Sequence, residues 1–250
     1  MSLLEHQIVL GRCLQATGVD PLAADMLQGL TIDREELARL RDLVHCPGFR
    51  FTRHVQRSWC IGRTAGAAQL TLSLLPVELR RELVGDWVEA GGGRALDVAV
   101  EAAAFLEFVA QRLPYPSHAL AVCRMEQAAY RASDAAVRFK PPDPSLLDDP
   151  EIILGTGKNA SVVRFFAEPE RLFQAIGANQ PLPPLSDRTV SVLFAPGLPK
   201  LYRPARSDEE AILEKLSHPM AMREFPPGGQ YRHAIQALFS VGAAEIQPSS

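Results

Sequence analysis

The 250-residue chain carries 26 Lys and Arg against 29 Asp and Glu, a formal charge of −3, with 47% hydrophobic residues. That composition suits one large or two small globular domains and excludes the overall basic excess that general binding to a phosphate backbone requires. No apolar run reaches the roughly 18 residues that a membrane helix needs, so no membrane partner is expected. The start, residues 1–7, has neither the cationic head nor the apolar core of an export signal. The four cysteines, Cys13, Cys46, Cys60 and Cys123, form no Cys-x-x-Cys pair. Both features point to buried free thiols and a cytoplasmic setting.

In chain order, Leu3, Leu4 and Ile8 mark a first helix that stops at Thr17-Gly18. Asp20-Pro21 is an N-cap with proline at the first helical position for a second helix over 22–30. Asp33, with Glu36 three residues on, opens a third helix carrying Leu37, Leu40 and Val44. Arg50, Arg53 and Arg57 then recur at helical spacing, with His54 beside them and no acid between Asp42 and Glu78. This arrangement is either a solvated face or a docking surface for an acidic partner. An arginine helix in a DNA groove is the alternative, but residues 1–140 hold 16 basic and 16 acidic side chains, and that balance argues against nucleic acid.

Residues 77–90 form an amphipathic helix ended by Gly91-Gly92-Gly93, which reads as a hinge. The stripe Val98, Ala102, Phe105, Leu106, Val109 and Leu113 marks a core helix. Ser117 caps another, with Arg124, Glu126 and Arg131 facing outward. Residues 1–138 are thus expected to be a helical bundle, and the proline-rich segment 139–150 a linker.

The only β-like stretch follows, giving an α+β fold: an N-terminal all-α bundle and a small C-terminal domain, 151–218, with a short antiparallel sheet and flanking helices. Residues 151–154 and 161–166 flank Gly155-Thr-Gly-Lys-Asn159 and are expected to pair as a hairpin. Residues 169–176 form a short helix. Val190, Val192 and Phe194 alternate with Thr189 and Ser191 as a third strand, and residues 200–203 form a fourth. Ser207 to Glu210 is a capping box. Residues 219–250 are expected to be an extended tail with one short helix near 231–240.

No site for chemistry emerges from these motifs. The Gly155–Asn159 loop lacks the first glycine and the hydroxyl residue of a phosphate loop. No pair among the six histidines has metal-ligand spacing. A thiolate nucleophile built from Cys60 or Cys123 with His54 or His118 requires the fold to bring them together. The catalytic and metal assignments are therefore none. The short sheet must have edges, and an edge can capture an extended peptide. Val190, Ser191, Val192, Leu193 and Phe194 are the expected peptide-pairing strand, and Arg50, Arg53 and Arg57 the expected partner face.

Four strings, at residues 79–87, 105–108, 117–126 and 193–199, together resemble the MbnC-type partner proteins of methanobactin biosynthesis, a route to a ribosomally made copper chelator. The likeness covers most of residues 1–216. It implies a subunit without catalysis of its own, required in a heterodimer with an MbnB-type multinuclear non-heme iron oxidase. The pair would convert cysteines of a precursor peptide to oxazolone and thioamide groups. It further implies no cofactor in this chain, iron in the partner enzyme, and recognition of the precursor's leader by the C-terminal sheet.

Overall fold

The computed structural model describes residues 3–15, 32–226 and 228–248. The helix expected at 22–30, with its Asp20-Pro21 cap, lies outside the described residues. The protein is α+β. Its helices are α1 (Leu3–Gln15), α2 (Arg34–His45), α3 (Pro47–Ala67), the single-turn α4 (Gln69–Ser73), α5 (Val77–Glu89), α6 (Val98–Ala110) and α7 (His118–Ala136). Strands β1 (Ile153–Thr156) and β2 (Ser161–Phe165) follow, then α8 (Pro169–Gly177), β3 (Val190–Phe194), β4 (Tyr202–Pro204), α9 (Ser207–Lys215), β5 (Met220–Ala221), α10 (Gly229–Ser240) and β6 (Ala244–Ile246). Contacts group these into two units, Met1–Ala67 with Pro76–Glu101, and Ala68–Leu75 with Ala102–Ser250. No helix among the described residues is long and apolar enough to cross a membrane.

In the first unit, α2 begins as expected, the Asp33 carboxylate accepting the Glu36 N–H at 2.8 Å. Val9 and Cys13 of α1 pack with Leu40 and Val44 of α2. The triple glycine is a packed turn. Gly93 has φ +82°, and a Cβ there would meet the Cys60 Cβ at 2.8 Å, so both conformation and space call for glycine. Glu101 fixes this turn. Its carboxylate accepts from Trp87 Nε1 at 3.0 Å, Gly93 N at 2.5 Å and Ala95 N at 2.8 Å. Burial pushes its pKa up, but the two backbone donors and the indole outweigh that and hold it below the usual carboxylate value. Glu101→Ala orphans three donors and should cost about 2–3 kcal/mol. Urea titration followed by Trp fluorescence checks this, and a loss under about 0.5 kcal/mol would mean that water replaces the carboxylate.

In the second unit, Ser117 caps α7 by accepting the Leu120 N–H at 3.1 Å. Glu126 of α7 turns toward α4 and accepts from Leu70 N, Thr71 N and Thr71 Oγ1. Among the described residues, six strands make two antiparallel sheets, ordered β5-β1-β6 and β2-β3-β4. The expected hairpin of β1 with β2 does not form. β1 pairs with β5 and β6 instead, and Gly155 and Thr156 lie inside β1, opposite Glu245 and Ala244.

Two further expectations are corrected. The short helix expected near 231–240 forms as α10, but residues 219–226 and 228–248 are no extended tail, because Ile235, Leu238 and Phe239 of α10 are buried with Leu154, Leu193 and Ile212 in one core. The segment 139–150 is packed rather than linking. Leu147 is buried in that same core, and the Phe139 ring closes on Gly197, where a Cβ would meet its Cε1 at 2.4 Å. α9 also starts one residue earlier than its expected box, since Glu209 rather than Glu210 reaches back to a backbone N–H, that of Arg206.

Candidate functional site

β3 is the central strand of its sheet. Residues 190–194 pair with β2 on one side, and Val192, Leu193 and Phe194 pair with Pro204, Arg203 and Tyr202 on the other. Val190 to Phe194 therefore offers no edge to a peptide, which corrects the expected pairing strand. The polar member of its alternation is buried too, because Ser191 Oγ donates to Glu210 at 2.9 Å.

The edges belong to β2 and β4. β4 has three residues and ends in proline, two devices that blunt an edge. β2 keeps five residues and, among the described residues, pairs with β3 alone. Which of its groups point outward follows from the ladder. Ser191 O accepts from Ala205 N and Ala195 N donates to Leu201 O, so odd residues of β3 turn toward β4 and even ones toward β2. Opposite the even residues stand Ser161, Val163 and Phe165. By antiparallel alternation, Val162 and Arg164 aim N–H and C=O away from β3. Beyond them the edge closes, because Ser186 N donates to Phe166 O at 2.7 Å.

A groove of about 640 Å³ runs along this edge. β2 contributes Ser161 to Arg164. α7 contributes Leu120, Arg124, Gln127 and Arg131, and α9 contributes Glu210, Leu213 and Glu214. Tyr115 and Phe166, whose rings meet edge to face at 5.5 Å, also line it. The α7 residues are spaced four, three and four apart, which puts them on one helical face. Arg124 is held by the Glu107 carboxylate at 2.6 Å, and Gln127 donates to the same group at 2.9 Å. These bonds, Gln127 first and then Arg124, bring the Glu107 pKa down to about 2. On the α9 side Arg164 is paired with Glu210 at 2.5 Å.

Arg50, Arg53 and Arg57 share one side of α3, as expected, and with His54, Gln56, Cys60 and Arg94 line a cavity of about 230 Å³ in the first unit. Arg57 is ion-paired with Glu89. Elsewhere on α3, Phe51, Val55 and Trp59 are exposed at four-residue intervals. His54 and Cys60 both line this cavity, but no hydrogen bond joins them among the described residues, and Cys60 is buried. Cys123 donates to Leu106 O at 3.1 Å, and burial pushes its pKa up to about 12, so its thiol stays protonated at neutral pH. Among the described residues no group of His, Cys, Asp and Glu is arranged to hold a metal ion.

No protein-family model matches this chain, and no curated protein matches it in sequence. The groove residues Arg124 and Arg131 were legible as outward-facing, but nothing local tied them to β2. Glu214 carried no signal at all, because its place in the groove depends on where α9 docks.

Proposed function

We propose that this chain is a peptide-binding partner subunit. It captures an extended stretch of a ribosomally made precursor peptide by strand addition to β2, and it delivers that peptide to a multinuclear non-heme iron oxidase that modifies its cysteines. The observation that carries the peptide half is the Val162–Arg164 edge, unpaired among the described residues, beside a groove of about 640 Å³. Main-chain hydrogen bonds supply affinity in this mode, and side-chain pockets supply selectivity. The oxidase half rests on the resemblance to MbnC-type proteins. It is supported by the arginine face of α3 and its exposed Phe51, Val55 and Trp59, a mix of aromatic and arginine residues that suits an interface core.

The test is co-expression with an MbnB-type oxidase and its precursor peptide, which should return a complex of all three. Val162→Pro removes an outward N–H from an edge strand without touching a β3 bond. It should keep the oxidase and weaken peptide binding by about tenfold or more in fluorescence anisotropy. Undiminished peptide binding by a folded Val162→Pro protein would exclude the β2 edge. A chain that copurifies with neither partner would exclude the subunit role.

A further inference from the structure

The two walls of the β2 groove differ in charge. Val163 and Phe165 point into a cluster with Ala121 and Val122 of α7, whereas Val162 packs against the cluster holding Ile212 and Leu213 of α9. The two faces of β2 therefore look toward different helices, and a strand added beyond β2 extends both faces. Its odd side chains would meet one wall and its even side chains the other. On the α7 wall the charged residues are Arg124 and Arg131, and on the α9 wall Glu210 and Glu214, with Arg164 of β2 paired to Glu210.

Not all of this charge is spent within the protein. Arg124 is engaged by Glu107, but Arg131 approaches that carboxylate only at 3.9 Å. Glu210 is taken by Arg164 and Ser191, while Glu214 makes no close ion pair among the described residues and acts on Arg164 only through a weaker, longer-range attraction. Arg131 on the α7 wall and Glu214 on the α9 wall are thus the less engaged charges lining the groove.

We infer that the groove sorts its peptide by charge. It takes an extended segment whose acidic side chains lie on the strand face toward α7 and whose basic side chains lie on the face toward α9, so that charge alternates in sign along the segment. This inference rests on edge capture by β2 and adds to it a substrate class.

Two labelled probes of identical composition separate the two ideas. Both flank a charged core with Thr-Val on each side; one core is Glu-Lys-Glu-Lys, which segregates charge by strand face, and the other Glu-Glu-Lys-Lys, which mixes it. The full chain should bind the segregated probe about three- to tenfold more tightly at low salt, with the preference shrinking as salt is raised. Arg131→Glu replaces the less engaged cation of the α7 wall with an anion and should abolish the preference. Adding Glu214→Lys should restore it, because the probe need only slide one residue to present the opposite face to each wall. Loss of packing at Arg131 would not produce that rescue. Equal binding of the two probes overturns charge sorting and leaves edge capture standing. Binding of neither probe, or binding that survives Val162→Pro, overturns edge capture and charge sorting with it.

Discussion

Phe165→Ala should destabilise the protein by about 3–5 kcal/mol, the usual cost of emptying a buried aromatic site. The Phe165 side chain is 1% exposed. It packs with Ala121 and Val122 of α7, Leu172 of α8, and Val192 and Phe194 of β3, and its ring meets Phe173 nearly edge-on at 6.1 Å. Helix, sheet and α8 all converge there, so the cavity has no single neighbour that can collapse into it. Because Phe165 anchors β2, the variant should also lose the peptide affinity proposed for that edge, whereas Phe165→Leu should retain most of both. Denaturant unfolding with a probe-binding assay measures the pair. A stability loss under about 1 kcal/mol would mean that β2 is not fixed to α7 as described.

Glu209→Ala should cost about 2–4 kcal/mol, below the top of the range for a broken buried pair because Arg203 keeps some access to water. The Glu209 side chain is 0% exposed and Arg203 32%. Its carboxylate takes the Arg203 guanidinium in a two-pronged grip, at 2.6 and 2.7 Å, and the Arg206 N–H at 3.1 Å. Burial pushes the Glu209 pKa up, yet the Arg203 fork and the Arg206 N–H outweigh it and leave it lowered. A carboxylate lowered in the folded state adds stability above its unfolded pKa, near 4.5, and that contribution is lost as pH falls through the folded value. Glu107 adds a second such contribution, lost between 4.5 and about 2. Melting temperature should therefore fall steeply below about pH 4.5, and the fall should be shallower in Glu209→Gln. Parallel pH profiles for the two proteins would show that Glu209 is not ionised in the way its partners require. The pair joins β4 to the start of α9, so its loss also loosens the acidic wall of the groove.

Much of the helical part could be read locally, because caps are local. Asp33 and Ser117 each bond a backbone N–H three residues on, and both helices start where those residues stand. The strands themselves were legible from β-branched alternation, but their partners were not. Val190 to Phe194 reads as half exposed because Ser191 is polar, yet Ser191 is buried against Glu210, and β4 covers the second edge. The turn residues after Leu154 signal a hairpin, but β1 finds better partners in β5 and β6, whose positions no local pattern encodes. Pro226 and the glycines after it made the last segment look loose. The apolar spacing of Ile235, Leu238 and Phe239 was present and proved the stronger signal. The open edge of β2 was missed for the same reason: whether a strand is open depends on which other strands fail to reach it.

The position of β1 between β5 and β6 also sets an order of events during synthesis. β1 emerges from the ribosome well before either neighbour, and β6 comes after α10. Until then a strand with both edges bare and an unfilled core must wait, a long-range pairing of the kind that slows folding and invites aggregation. A fragment ending at residue 218 would keep β1 in that exposed state permanently, although it contains all of β2 and most of the groove. The open β2 edge thus depends, for a fully folded protein around it, on a chain long enough to close the other sheet.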